Sequence, residues 1–221
     1  MPDELLLQLP LPAPFSLHMA RRDNDTPAPG PAALADAATL IAQARAGDHT
    51  AFESLLRCYE ARVLRTATRM LGNADDARDA AQEVFLRLHK YLGRFDQARE
   101  LSPWLYQMTV NVCHDLGKKR RPHLSLEQEA ARGALDHLAT TDDIEGDLDT
   151  ARQKQIISAA LLTLPEKERA AIVLRDIEGL ETSEVARILG SSETTVRSQI
   201  SMARVKIKRY RDRALGLKGT K

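Results

Sequence analysis

Between Leu180 and Arg213 the chain reads LETSEVARILGSSETTVRSQISMARVKIKRYRDR, and its side chains suit hydrogen bonding and charge neutralisation rather than bond breaking. Ser192 stands where a helix N-cap belongs. Behind it, Glu193, Thr195, Arg197, Ser198 and Ser201 fall near the helix start on accessible faces, while Val196, Ile200 and Ala203 fall inward. An arginine so placed can grip guanine O6 and N7 with two bonds, and serine and threonine accept several base partners. Arg204, Lys206, Lys208 and Arg209 follow, where cations hold phosphates and set register without reading sequence. A short helix, a tight turn at Gly190 and a longer basic helix make a helix-turn-helix, whose second helix enters the DNA major groove. The competing reading, a solvated charged terminal helix, does not account for the SEVARIL–Gly190 turn.

A second group lies near the middle of the chain. The loop from Phe95 to Ser102, then Asn111, then Lys118, Lys119, Arg120 and Arg121 place polar and cationic groups in line. Holding unstacked bases needs π faces or polar pockets along such a cationic track. Trp104 is either a core residue, by its spacing with Leu105, Met108 and Val112, or a stacking platform. A third group, Asp79, Gln82, Glu83 and Arg87, shares one helical face away from the apolar stripe. By itself it reads as a wet face with intrahelical ion pairs.

No reaction centre emerges. The six histidines are scattered without metal-ligand spacing, and there is no phosphate-cradling glycine loop or nucleophile elbow. The two cysteines, Cys58 and Cys113, form no CxxC, so neither a disulfide scaffold nor a structural zinc is expected. The chain is expected not to be an enzyme and to need no cofactor or metal.

These groups need helices to position them. Seven of the ten prolines fall within residues 1–35, a segment expected to be disordered. From 38 to 121 the periodicity is helical. Phe52, Leu55, Leu56, Tyr59, Val63, Ala67, Met70 and Leu71 mark a first long helix, ended by Gly72-Asn73. Asp75 and Asp76 open a second, with Ala77, Ala81, Val84, Phe85 and Leu88 inward. Ser102-Pro103 starts a third, as N-cap and first residue, which closes on Gly117. Residues 122–150 carry eight acidic residues and one basic, Arg132, and read as an acidic linker. A second helical block follows over 151–214. Ile156, Ile157, Ala160, Leu161 and Leu164 form one face; Ala170, Val173, Leu174 and Ile177 form another after Pro165. The period never becomes two, so the fold is all-α in two compact parts. No apolar run approaches the roughly 20 residues of a membrane span. The N-terminal LLLQLPLPAPF lacks a basic flank and is not a signal peptide, so a cytoplasmic location is expected. The net charge of +1 conceals nine Lys/Arg against two acids from Ser192 to Lys221.

With these segments in hand, the chain resembles the extracytoplasmic-function sigma factors of bacterial RNA polymerase, within the sigma-70 family. AFESLLRCYEARVLRTATRMLGN is similar to the family's first conserved helix, and DARDAAQEVFLRL to the helix that docks on core polymerase. SPWLYQMTVNVCHDLGKKRR is similar to the promoter-melting helix. LPEKERAAIVLRDIEGLETSEVARILGSSETTVRSQISMARVKI is similar to the domain that reads the upstream element. The resemblance implies a sigma-2-like bundle and a sigma-4-like helix-turn-helix domain. It gives Asp79, Gln82, Glu83 and Arg87 to core polymerase, and Trp104, Asn111 and Lys118 to Arg121 to the minus-ten element. It gives the start of the last helix to the minus-thirty-five element. Core polymerase, promoter DNA and an anti-sigma factor are the implied partners, and the acidic linker is either a tether or an occupant of the polymerase's RNA channel. Relative to the family pattern, Thr182 is expected to cap its helix in place of Glu181, and Thr194 and Gln199 to alter the promoter sequence read. The alternative is a free-standing helix-turn-helix regulator, which has no use for DARDAAQEVF or PWLYQMTVN.

Overall fold

The computed structural model of this protein describes residues 31–96, 99–127 and 148–216. Among them every regular element is helical. The helices are α1 Pro31–Arg45, α2 His49–Leu71, α3 Ala74–Tyr91, α4 Leu101–Glu127, α5 Leu148–Leu162, α6 Glu166–Ile172, α7 Thr182–Ile188 and α8 Glu193–Ala214. Residues 1–30 and 128–147, which hold most of the expected disordered segment and acidic linker, lie outside the described residues.

Local chemistry sets the boundaries. Asp48 caps α2, its carboxylate accepting from the backbone N–H groups of Thr50 (2.8 Å) and Ala51 (3.1 Å). Those two bonds, with the Ala51 one foremost, hold its carboxyl below the usual range. Asn73 caps α3 in the same way, accepting from Asp75 and Asp76. Gly72 ends α2 at φ +78°, and a Cβ there would lie 2.5 Å from the Leu162 side chain of α5. The glycine thus serves both the left-handed cap and a close approach of two helix ends.

The α2–α4 stripe packs as its spacing requires, with Leu55, Ala67, Ala77, Val84 and Leu88 fully buried. Ala80 and Ala81 are buried too. Small side chains there leave room for α2 and α4 to close on α3. One apolar cluster continues from this bundle into the C-terminal half, taking in Ala171, Leu174, Leu180, Val185, Val196 and Ile200. A smaller one joins Leu161, Leu164, Ile172, Val173 and Ala203, from α5, the link after it, α6, its continuation and α8. The two helical parts are therefore packed against each other rather than held apart.

Several boundaries differ from the expectations. Residues 31–35 already belong to α1. Helix α4 begins at Leu101, so Ser102 and Pro103 sit inside its first turn rather than at the expected cap and first position. It runs through Gly117, which keeps a right-handed backbone, and through Pro122 to Glu127. The first six residues of the expected linker are thus helical, as are 148–150 at its far end.

The largest departure follows α6. Its last turn widens over Val173–Ile177 into i→i+5 bonding, with the Glu178 N–H donating to the Val173 carbonyl at 2.9 Å. The wide turn rotates the register. Ile177, expected inside, is 38% exposed, and the Glu178 side chain turns inward to 7% exposure.

Candidate nucleic-acid interface

The turn between α7 and α8 is closed by backbone geometry. Gly190 adopts φ +57°, and the Ser191 N–H donates to the Ala186 carbonyl at 2.9 Å, the 6→1 bond of a Schellman cap. Ser192 then caps α8, its hydroxyl accepting from the Thr195 N–H at 3.1 Å. Glu181, not Thr182, holds the cap position of α7, where the Glu184 carboxylate accepts from the Glu181 N–H at 3.1 Å. Tight capping on both sides fixes the angle at which α8 is presented.

At the start of α8, Ser192, Glu193, Thr195, Arg197, Ser198 and Ser201 are all exposed, and Val196, Ile200 and Ala203 are buried. Arg197 donates to Glu193 at 2.6 Å one turn back and keeps 64% of its side chain in solvent. Thr194 is also exposed. Gln199 is not. It is 9% exposed with an unpartnered Oε1, so it lies on the packed face and not where the expected effect on promoter sequence requires it.

The cations further along α8 divide into two sets. Arg204 forms two bonds to Asp176, at 2.8 and 2.7 Å. Lys206 donates to both oxygens of Glu168, at 2.7 and 2.8 Å, and that carboxylate is only 10% exposed. These two, expected on phosphates, are spent within the fold. Lys208 and Arg209 are exposed and form no ion pair among the described residues.

The second surface is a cleft of about 1070 Å³ beside α4, lined among others by Trp104, Asn111, Arg87, Tyr91 and Arg94, with Glu184, Arg187 and Ile188 of α7 on its other side. Trp104 serves both readings. One face stacks on buried Phe95 (centroids 5.1 Å apart, 26° between planes), while the ring, half-buried, also borders the cleft. Asn111 is exposed two turns along the same face. Tyr91 carries Lys90 and Arg94 over its ring at 5.5 and 5.7 Å. Arg45 of α1 donates to the Gly93 carbonyl at 2.9 Å and the Phe95 carbonyl at 3.4 Å, anchoring the strip that carries Phe95. Lys118 and Lys119 are exposed beyond the cleft. Arg120 and Arg121 follow in the α4 backbone, their side chains outside the described residues. Phe95 opens the loop expected at this surface, but sequence spacing did not reveal Tyr91 or Arg94 as part of it, although an aromatic flanked by two cations was a readable signal.

On α3, Asp79 and Gln82 are exposed and Glu83 half-exposed. Arg87 bonds Glu83 at 2.7 Å and lies 3.7 Å from Asp115, so it turns toward the cleft and away from Asp79. Leu86, at 55% exposure, stands among these polar residues.

The thiols are unequal. Cys58 is exposed and Cys113 is 3% exposed. Burial first, then the Glu166 charge, pushes the Cys113 thiol up to about 12. Because the thiolate is the reactive form, an aromatic disulfide reagent at about pH 8 is expected to titrate Cys58 quickly and Cys113 only after denaturation. Two equally fast thiols would contradict this packing. Among the described residues no group of three or more His, Cys, Asp or Glu could hold a metal, and no helix is long and apolar enough to cross a membrane.

Comparison with known proteins agrees with this geometry. The family model for sigma-70 region 2 matches residues 55–123, and that for sigma-70 region 4 matches residues 154–207. The ECF RNA polymerase sigma factor SigW of Bacillus subtilis is 32% identical over 171 residues, covering 74% of this chain and 90% of SigW. SigM of Mycobacterium tuberculosis is 33% identical over 172 residues, covering 78% and 83%. Among solved structures, CnrH in complex with the cytosolic domain of CnrY aligns with a TM-score of 0.59 at 25% identity, over 80% of this chain and 97% of that one. RpoE of Bartonella quintana, solved with the anti-sigma factor NepR, shares the fold at a TM-score of 0.53 and 22% identity, over 72% and 95%. The chain belongs to the extracytoplasmic-function sigma factors of the sigma-70 family. It thus belongs with the sigma factors of RNA polymerase, which are non-enzymatic transcription initiation factors.

Proposed function

We propose that this chain is a dissociable cytoplasmic subunit that directs core RNA polymerase to promoters through two DNA-facing surfaces. The first helical part, 38–121, docks on the polymerase through Asp79, Gln82, Glu83 and exposed Leu86, with Arg87 at the edge of that face. Its α4 cleft captures unstacked bases of the minus-ten element against Trp104 and Asn111, while Lys118 to Arg121 track the backbone. The second part, 151–214, reads the minus-thirty-five element through the start of α8. Arg197 is the principal base reader and Lys208 and Arg209 are phosphate contacts. The polymerase supplies the strand chemistry. A partner of anti-sigma type belongs to the same reading.

One observation supports this most strongly. A capped helix-turn-helix with a free reading edge and an aromatic, cationic cleft on a docking bundle occur in one chain, in the order of family regions 2 and 4. A free-standing regulator needs only the first of these surfaces. Reconstitution tests the proposal. Purified protein added to sigma-free core polymerase is expected to give discrete promoter-specific transcripts from a genomic promoter library. Retardation of promoter DNA by the protein alone, with no transcript on adding core enzyme, would favour the free-standing regulator.

A further inference from the structure

Helix α8 carries an apolar feature that hydrogen bonding at its reading edge leaves unused. Met202 and Val205 are each 48% exposed and lie one turn apart. Thr194, Ser198 and Ser201 are exposed on the same face. At 3.6 residues per turn these five side chains fall within a strip about 100° wide. Val196, Ile200 and Ala203 are buried on the opposite side.

Ion pairs on both flanks fix the roll of the helix. Arg204 is held by Asp176 and Lys206 by Glu168. Two positions apart, these residues project to nearly opposite sides of α8. The strip that carries Ser198, Ser201, Met202 and Val205 lies between them and cannot turn inward without breaking one pair.

Position along the axis separates the two apolar residues. At 1.5 Å per residue, Met202 lies about 7.5 Å beyond Arg197 and Val205 about 12 Å beyond it. The major groove is about 12 Å wide. With Arg197 on a base edge, Met202 is therefore still within the groove, about two base-pair steps away, whereas Val205 reaches its margin. There the exposed Lys208 and Arg209 follow. Two side chains ringed by serines and cations make a small target for a protein partner, which uses contiguous apolar patches. A groove-entering apolar side chain has one apolar partner among the base edges, the thymine C5-methyl. Methionine suits that contact, because its unbranched chain and polarizable sulfur adapt to a methyl at the floor of the groove.

We infer that Met202 is a specificity-determining residue that selects a thymine in the upstream element by contact with its C5-methyl group. This rests on the proposed function, since it requires the start of α8 to lie in the major groove. It adds an apolar determinant to the hydrogen bonds of Arg197, at a different base position.

The test uses the full chain with core polymerase, on promoters first selected from a genomic library by the wild-type protein. Each thymine of the upstream element, on either strand, is replaced singly by deoxyuridine. That change deletes the methyl and keeps every hydrogen-bonding atom. Wild type is expected to lose about three- to tenfold in transcription at limiting protein at one or two of these positions. Met202→Ala should lose a similar factor on the thymine template and no longer distinguish thymine from deoxyuridine there. Val205→Ala should keep the distinction. Helical circular dichroism checks that the variants are folded, which the exposure of both side chains favours. Indifference of the wild type to every deoxyuridine would overturn the inference, as would undiminished discrimination in Met202→Ala. A loss in Met202→Ala that is equal on thymine and deoxyuridine templates, with discrimination intact, would assign the side chain to a protein contact instead. Absence of any promoter-specific transcript in the initial selection would overturn the proposed function before deoxyuridine is introduced, so the two failures are distinct.

Discussion

Arg169→Met is expected to lower the unfolding free energy by about 3–5 kcal/mol, read as a fall in the urea or thermal midpoint. The last carbonyls of any helix lack intrahelical partners. Here the Arg169 guanidinium supplies them for two helices at once. It donates to the carbonyls of Leu161, Leu162 and Leu164 at 3.0 Å, and to that of Met70 at the end of α2. The Leu161 carbonyl keeps the Leu164 N–H at 3.1 Å, but each of the other three left without a donor in a part-buried site costs about 1–3 kcal/mol, less where water can enter. Methionine preserves the volume and the apolar stem, so the loss isolates the hydrogen bonds. Arg169→Lys should recover less than half, because a compact ammonium cannot span four acceptors that a planar fork reaches. A loss below about 1 kcal/mol for Arg169→Met would show that solvent already serves these carbonyls.

At the reading edge, Arg197→Ala should weaken use of the best upstream element by about 10- to 100-fold and flatten preference at one or two base positions. The side chain is exposed, and Glu193 holds it at 2.6 Å from the preceding turn, which limits the rotamers to be ordered on binding. Lys208→Ala should weaken every promoter about equally and lower the salt slope by about one. Transcription with core polymerase over a panel of upstream-element variants, at several salt concentrations, separates the two. Matching sequence-independent losses would remove Arg197 from base reading. Lys206 is unsuitable as the phosphate control. Its substitution strands the Glu168 carboxylate, which is only 10% exposed, and so changes stability together with binding.

The contrast between Lys206 and Lys208 marks what the sequence could show. Apolar spacing placed the buried face of α2 and α3 almost residue by residue, because heptad-scale periodicity is local. The start of α8 was readable for the same reason: Ser192, Val196 and Ile200 follow from one cap and one period. Ion pairs across 28 and 38 residues, as for Arg204 and Lys206, leave no local trace. Nor does a wide turn. With regular α geometry Ile177 continues the stripe of Ala170, Val173 and Leu174; one i→i+5 turn sends it outward and brings Glu178 in its place. Gly117 and Pro122 misled in the other direction. Both look like stops, yet α4 passes through them; each lowers helix stability at one position without forbidding the helix.

The tie from Arg45 to the Gly93 and Phe95 carbonyls has a consequence for chains shortened at the front. Phe95 is the floor on which the Trp104 ring rests, and its backbone is moored by a helix more than forty positions upstream. On the proposed function, a product beginning after α1 is expected to keep an intact reading helix and still bind its distal recognition sequence. It would lose the mooring beneath the tryptophan and stall at the closed duplex, a defect in strand separation from an amputation nowhere near the groove.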